Sequence, residues 1–148
     1  MLLSKACEYG VRAALHLAAA TPDTYVPIRS ISAALGIPYP FLAKVVQTLT
    51  QHDVLASSRG AAGGVRLARP AERIFLKEIV LAVDGPAIFH ACVLGLPGCG
   101  ERRPCPLHEQ WAPVRGQVEA MFGSMTLGEL ARRMAAGDFR LTADGGGA

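Results

Sequence analysis

The sequence of 148 residues lacks the features that would direct a protein out of the cytoplasm or into a membrane. No stretch approaches the roughly 20 consecutive apolar residues that a membrane helix requires. The N-terminus has neither the basic region nor the long apolar run of a secretory signal. The formal net charge of +3 is too small to demand or exclude a polyanionic partner. We therefore expect a soluble, cytoplasmic protein with no membrane partner.

The sequence also lacks a Cys-x-x-Cys pair and a convincing strand–helix–strand pattern. Both absences argue against an enzyme, and they leave a small thiol oxidoreductase acting through Cys99 and Cys105 as a remote alternative. Cysteine itself is not lacking, because Cys92, Cys99 and Cys105 fall within fourteen residues and His108 follows. In a reducing compartment, clustered cysteines more often bind a metal than form structural disulfides. Since glycines and prolines interrupt this loop, we expect a metal or cluster to order it.

The first fifty residues have the spacing of three helices. Apolar residues recur at helical intervals from Leu3 to about Ala20, and again after residue 28 until Gly36. A third helix then follows, and its apolar face is predicted to consist of Phe41, Leu42, Val45, Val46 and Leu49. Two short helices joined by a glycine turn are typical of a helix-turn-helix, although an ordinary helical hairpin is the alternative from these residues alone.

A β-hairpin is predicted directly after this helix pair. Residues 54–58 and 65–68 have the pattern of strands, and the glycine-rich residues 59–64 form the predicted tip. A hairpin in this position is typical of the wing of a winged helix, with a solvated surface hairpin as the alternative. A further amphipathic helix over residues 75–83 is expected to close the core over the first helix.

Beyond the cysteines, apolar residues recur at offsets of four, three, four and three. They form an a/d seam that suits pairing with an identical helix: Leu107, Trp111, Val114, Val118 and Met121. Packing within the same chain is the alternative. Pro113 predicts either a kink or a helix that begins there. A last helix is predicted to be capped by Thr126 and Glu129 in a capping box.

Taken together, these parts resemble the IscR/NsrR/BadM family of winged-helix transcription regulators. The resemblance covers nearly the whole chain, and the wing combined with the cysteine loop is its most specific part. The segments that carry it are Leu3-Ser4-Lys5, Glu8-Tyr9-Gly10-Val11-Arg12-Ala13, Pro27-Ile28-Arg29-Ser30-Ile31, Ser57-Ser58-Arg59-Gly60-Ala61-Ala62-Gly63-Gly64, Glu78-Ile79-Val80-Leu81-Ala82-Val83-Asp84-Gly85 and Thr126-Leu127-Gly128-Glu129-Leu130.

The resemblance implies a mainly α fold with a small β-hairpin wing and a long C-terminal dimerisation helix. The expected divisions are a winged helix-turn-helix DNA-binding domain over residues 1–85, a cluster-binding loop over 86–105, the dimerisation and C-terminal helices over 106–137, and a flexible tail over 138–148. The expected function is transcription regulation, with repression as the favoured role, by a homodimer bound to a palindromic operator in double-stranded DNA.

Eight residues are expected to contact that DNA. The third helix would present Tyr39, Pro40, Lys44 and Gln47 to the major groove. Arg59 at the tip of the wing would reach the minor groove or the backbone, and phosphates would be contacted by Ser57, Ser58 and Gly60.

The resemblance further implies that Cys92, Cys99 and Cys105 hold an iron–sulfur cluster, [2Fe–2S] or [4Fe–4S], whose state tunes DNA binding in response to redox, nitric oxide or iron–sulfur status. His108 matches the fourth ligand of the cluster-assembly regulators, and Glu8 matches an acidic position that nitric-oxide sensors use from the partner subunit. We favour His108, because its proximity in sequence lowers the entropy cost of closing the loop. The spacing Cys-x6-Cys-x5-Cys is one residue longer than usual in its first interval. A structural zinc and a cluster-free thiol switch remain the less favoured alternatives.

Overall fold

Seven α-helices and one two-stranded antiparallel hairpin make up the described part of the chain, which in this computed structural model comprises residues 2–100, 102–137 and 139–143. The helices and strands are α1 Lys5–Ala18, α2 Ile28–Leu35, α3 Tyr39–Gln51, β1 Leu55–Ser58, β2 Gly64–Leu67, α4 Leu76–Val83, α5 Ala87–His90, α6 His108–Ser124 and α7 Leu127–Ala136, with a 3₁₀ turn at Ala71–Arg73 before α4. Among the described helices, none is long and apolar enough to cross a bilayer.

Helix α1 lies at the centre of the fold and packs against α2, α3, α4 and α7. Its buried face is built from small residues, including Cys7, Ala13 and Ala14, which are fully buried. A Cβ atom at Gly10 would lie 3.2 Å from Val45, so glycine at this position allows α3 to approach closely. The helix begins at a cap in which the Ser4 hydroxyl accepts a hydrogen bond from the backbone N–H of Cys7 at 3.0 Å.

Helices α2 and α3 form the predicted helix-turn-helix. Gly36 has a φ of 62°, the left-handed conformation that ends α2 and turns the chain into α3. The buried face of α3 consists of Leu42, Val45, Val46 and Leu49. The prediction for Phe41 was wrong, because its side chain is 59% exposed. Phe41 lies roughly 90° around the helix from the centre of that face, in the first turn.

The hairpin follows α3 as predicted, and the ends of its strands lie within one residue of the predicted positions. The paired positions run from Leu55 with Leu67 to Ser58 with Gly64. Val26 forms a separate antiparallel bridge through two 2.8 Å hydrogen bonds with Val65. A Cβ atom at Gly64 would lie 2.3 Å from the carbonyl oxygen of Val26. Glycine at position 64 therefore allows this extended segment to pack directly onto the hairpin.

The C-terminal half differs from the sequence-based expectation in three local details. A short helix, α5, lies where we expected continuous loop. Helix α6 begins at His108 and continues through Pro113, so it does not begin at the proline. Thr126 caps α7 by accepting the N–H of Glu129 at 3.1 Å, but the Glu129 carboxylate pairs with Arg133 at 2.8 Å, so only half of the predicted capping box is present.

Part of the segment predicted as a flexible tail, residues 139–143, is among the described residues. Residues 139–143 pack beside α1 and α2, where Arg12 donates hydrogen bonds of 2.6 Å both to the carbonyl of Leu141 and to the carbonyl of Leu35. Leu141 joins the edge of the core. Residues 138 and 144–148 of the predicted tail lie outside the described residues.

Candidate functional site

An open groove of about 610 Å³ lies between α3 and the hairpin. All eight residues predicted to contact DNA are exposed on these two elements. Those that line the groove are Tyr39, Gln47, Ser57, Ser58 and Gly60. Pro40 and Lys44 lie on the exposed side of α3, and Arg59 lies at the hairpin tip. The fold thus brings five of the eight predicted residues together around one groove.

Two of the predicted DNA contacts are cations, one on α3 and one at the hairpin tip. Within the part of the chain that the structure describes, neither Lys44 nor Arg59 has an acidic partner. By contrast, Arg66 on the neighbouring strand pairs with Asp23 at 2.7 Å, and Arg69 pairs with Glu78 at 2.5 Å. The charges of Lys44 and Arg59 therefore remain available to phosphates.

Sequence reasoning missed the exposure of two side chains, one on α2 and one on α3. Arg29 lines the groove, and its Cζ atom lies 4.4 Å from the centroid of the Tyr39 ring. Phe41, assigned to the core from its spacing, is exposed on the first turn of α3. The available signal for Arg29 was a lone basic residue in the first turn of the predicted second helix.

The three loop cysteines and His108 come together next to α5. Cys92 is buried, whereas Cys99 and Cys105 are half-buried. The Cys99 Sγ atom lies 3.5 Å from His108 Nδ1, and His108 is the first residue of α6. A Cβ atom at Gly100 would lie 2.7 Å from the His108 ring, so glycine at this position lets the imidazole lie against the loop.

Hydrogen bonds distinguish the thiols from one another. The backbone N–H of Leu94 donates a hydrogen bond to the Cys92 sulfur, and this contact lowers the pKa of Cys92 although burial acts in the opposite direction. The N–H of Leu96 and the two other thiols lower this pKa further. Burial first, and then the contact with Cys92, raises the pKa of Cys105. The loop thus stabilises the thiolate of Cys92 and disfavours that of Cys105.

The residues present have the chemistry to bind a group through thiolates, although their side chains do not surround a single metal position. Among the described residues, no three His, Cys, Asp or Glu side chains are close enough to share a single metal ion. The soft donors Cys92, Cys99 and Cys105, with backbone N–H groups directed at one of them, are those that iron–sulfur clusters prefer. The donor chemistry therefore fits a cluster.

The single chain does not bring Glu8 into this group. Glu8 lies on α1, where its carboxylate pairs with Lys5 at 2.8 Å. The partner-subunit role predicted for Glu8 stays a prediction, as does the choice between it and His108.

Helix α6 holds the segment that precedes Cys92. The Trp111 indole N–H donates to the carbonyl of Ala91 at 3.0 Å, and Arg115 donates to the carbonyl of His90 at 3.0 Å. The Phe89 and Phe122 rings pack edge to face, with 6.2 Å between their centroids. These contacts connect α6 to the segment that leads into the cysteine loop.

The predicted dimer seam divides into two sets of residues along α6. Leu107, Val114 and Met121 are exposed by 44%, 47% and 50%. Trp111 and Val118 are half-buried against their own chain. The exposed set forms an apolar stripe, one residue in every seven, at the edge of the face that α6 buries.

A helix-turn-helix, a hairpin directly after it and unneutralised cations on their common side define a winged-helix transcription regulator. The chain belongs to the Rrf2 family, whose model, described as "Iron-dependent Transcriptional regulator", matches residues 3–133. This confirms the resemblance, the fold class and the expectation that the protein is a regulator and not an enzyme.

Individual relatives agree with this assignment. The chain is 32% identical over 132 residues to the HTH-type transcriptional regulator IscR of Xenorhabdus nematophila, covering 89% of this chain and 80% of that protein. Two solved structures share the fold. CymR, the global cysteine regulator of B. subtilis, matches with a TM-score of 0.75 and 24% identity over 88% of this chain and 96% of its own. IscR of T. potens matches with a TM-score of 0.71 and 24% identity over 93% and 92%.

Proposed function

We propose that this regulator is a homodimer that binds a palindromic operator in double-stranded DNA, and that an iron–sulfur cluster held by Cys92, Cys99 and Cys105 tunes its affinity. His108 is the proposed fourth ligand, with Glu8 of the partner subunit as the competing assignment. The observation that carries the proposal is the grouping of three mutually interacting thiols with His108 at the start of α6.

A cluster, when bound, supplies a group whose redox state, nitrosylation or loss changes the restraints on the loop. The chain offers a route from that loop to the DNA-binding side. Helix α6 is tied to the segment before Cys92 through Trp111, and Lys77 on α4 pairs with Glu119 on α6 at 2.6 Å. Helix α4 in turn packs against α1 and α3. A change in the loop can therefore bias the position of α3 relative to the partner subunit.

The dimer is proposed to form through the apolar stripe of Leu107, Val114 and Met121. These side chains are exposed in the single chain, and a seven-residue repeat matches helix-to-helix pairing. The two helix-turn-helix units of such a dimer would contact successive half-sites.

The first test is the absorption spectrum and the iron, sulfide and zinc content of protein purified without oxygen. The proposal expects visible charge-transfer absorption with matched iron and sulfide. Cys92→Ala should lose iron, whereas Cys7→Ala should retain it, because Cys7 is buried on α1 outside the group. A colourless wild-type protein that resists cluster reconstitution would overturn the cluster assignment.

The fourth ligand is tested by comparing His108→Ala with Glu8→Ala. The favoured assignment expects a changed visible spectrum in His108→Ala and an unchanged one in Glu8→Ala. The opposite pattern would transfer the role to Glu8.

The wing is tested by Arg59→Ala in the reconstituted protein. Affinity for a duplex selected by the wild-type protein should fall about tenfold while the cluster content stays the same, because a charge-assisted contact to DNA is lost. Unchanged affinity would remove Arg59 from the interface.

A cluster-free thiol switch is the second candidate, and the hydrogen-bonded Cys92 and Cys105 thiols favour it over a zinc site. In this scheme a peroxide oxidises the two thiols to a disulfide and is itself reduced to water. Peroxide-dependent loss of DNA affinity in iron-free protein, abolished in Cys105→Ala, would support it.

A further inference from the structure

Arg29 and Tyr39 form a stacked pair at the edge of the groove between α3 and the hairpin. Arg29 is the second residue of α2, and Tyr39 is the first residue of α3. The guanidinium carbon lies 4.4 Å from the centroid of the ring, a distance at which a cation interacts favourably with the face of an aromatic ring. Both side chains line the groove together with Ser57 and Ser58 of β1.

The charge of Arg29 has no counter-ion in the described residues, and no Asp or Glu is among the side chains that line the groove. A second Arg–Tyr stack in the same chain provides the contrast. Arg66 lies 5.1 Å from the Tyr25 ring centroid, but its guanidinium also pairs with Asp23 at 2.7 Å. The charge of Arg66 thus has an acidic partner within the protein, whereas Arg29 is held in place without an anion.

We propose that Arg29 binds a phosphate of the DNA backbone, and that its stack on Tyr39 positions the guanidinium for this contact. The inference rests on the proposed DNA-binding role of this side of the molecule. In a helix-turn-helix the first helix crosses the backbone while the second enters the major groove, so a residue in the first turn of α2 faces phosphates. The planar fork of arginine matches two phosphate oxygens, which lysine cannot reproduce. On this view the Tyr39 ring supports Arg29 rather than reading a base.

The test measures the dissociation constant against salt concentration for two duplexes of equal length. One is selected from a randomised library by the wild-type protein, and the other is a scrambled version of it. Arg29→Ala should weaken binding to both duplexes about tenfold and lower the slope of log affinity against log salt by about 0.9, the value for one phosphate contact. Arg29→Lys should retain the slope but not the full affinity.

Matched variants separate the stack from the charge. Tyr39→Phe keeps the ring on which Arg29 stacks and should rescue the salt slope, whereas Tyr39→Ala should lower both the affinity and the slope towards the values of Arg29→Ala. Arg132→Ala removes an exposed arginine on α7, outside the groove, and should leave both affinity and slope unchanged. Circular dichroism of each variant checks that the fold is retained.

The outcomes distinguish this inference from the function on which it rests. Tight wild-type binding with an unchanged slope in Arg29→Ala would overturn the Arg29 assignment alone. Loss of affinity for the selected duplex but not for the scrambled one would show base reading and would overturn the phosphate assignment. Failure of the wild-type protein to bind either duplex would overturn the DNA-binding role together with the inference.

Discussion

Asp84 connects the end of α4 to the beginning of α1. Its carboxylate accepts hydrogen bonds from the backbone N–H of Ser4 at 2.9 Å and from the Ser4 hydroxyl. It also faces the thiol of Cys7. Burial first, and then the charge and hydrogen bond of Asp84, raise the pKa of Cys7 from its ordinary 9.0 to about 12. Cys7 is therefore a protonated core residue, chemically separate from the three loop cysteines.

This raised pKa predicts a loss of stability in alkaline solution. The unfolded chain releases the Cys7 proton near pH 9 and the folded chain only near pH 12, so the folded form binds more protons in between. The free energy of unfolding should fall as the pH rises through that interval, and the contribution is fully present below it. Urea unfolding at pH 7.5, 9 and 10 should show a shallower decline in Cys7→Ala than in the wild type. Parallel declines in the two proteins would contradict the prediction.

At the scale of single elements, the wing depends on a glycine for its attachment. Gly64 has a φ of 151°, and a Cβ atom there would lie 2.3 Å from the carbonyl oxygen of Val26. The extended segment around Val26 would have to move away, with the loss of its two hydrogen bonds to Val65.

We expect Gly64→Ala to destabilise the protein by about 2 kcal/mol or more, because it adds backbone strain and breaks this pairing. Gly116→Ala is the control and should raise the free energy of unfolding. Position 116 lies inside α6 with open space around a Cβ atom, and alanine favours helix over glycine by about 1 kcal/mol. Urea unfolding measures both variants. Equal stability of Gly64→Ala and the wild type would show that the segment adjusts without cost.

Helix α6 presents its exposed apolar stripe at the edge of its buried face. Val114→Lys should dissociate the proposed dimer, because a charge at the centre of the stripe would be desolvated on pairing. Ala120→Lys adds the same charge at an exposed position on the far side of α6 and should leave the dimer intact. Sedimentation equilibrium reports the mass, and circular dichroism reports the fold. A dimer of undiminished stability in Val114→Lys would exclude this stripe as the interface.

At the scale of the whole molecule, the C-terminal segment over residues 139–143 packs against the DNA-binding half of the chain. Arg12 connects the two by donating to the carbonyls of Leu35 and Leu141. Leu35 ends α2, so this contact stabilises the end of the first helix of the helix-turn-helix.

Arg12→Ala should lower the free energy of unfolding by about 1–3 kcal/mol, because two charge-assisted hydrogen bonds to carbonyl groups are lost. Amide exchange in α2 should become faster than in the wild type. Arg132→Ala, at an exposed position with a long 3.7 Å ion pair, should change stability by less than about 0.5 kcal/mol. If Arg12→Ala matched Arg132→Ala, the contact would not contribute to stability.

The sequence by itself determined the family, the hairpin and every described helix except α5, because these depend on local spacing and on residues that lie close together in the chain. The glycine turn at Gly36, the strands on either side of the wing tip and the three clustered cysteines can all be found without coordinates. The eight residues predicted to contact DNA were chosen in the same way, and five of them line the groove between α3 and the hairpin. Their role in DNA binding stays a prediction.

Only the tertiary structure decided which side chains meet across long stretches of chain. The exposure of Phe41, the stack of Arg29 on Tyr39 and the contact of Arg12 with the C-terminal segment each depend on how separate helices pack. Helical spacing predicts which residues share a face, but it does not predict how much of that face a neighbouring helix covers. Packing determined that coverage. It thereby added Arg29 of α2 to a proposed DNA interface that the sequence had assigned to α3 and the hairpin.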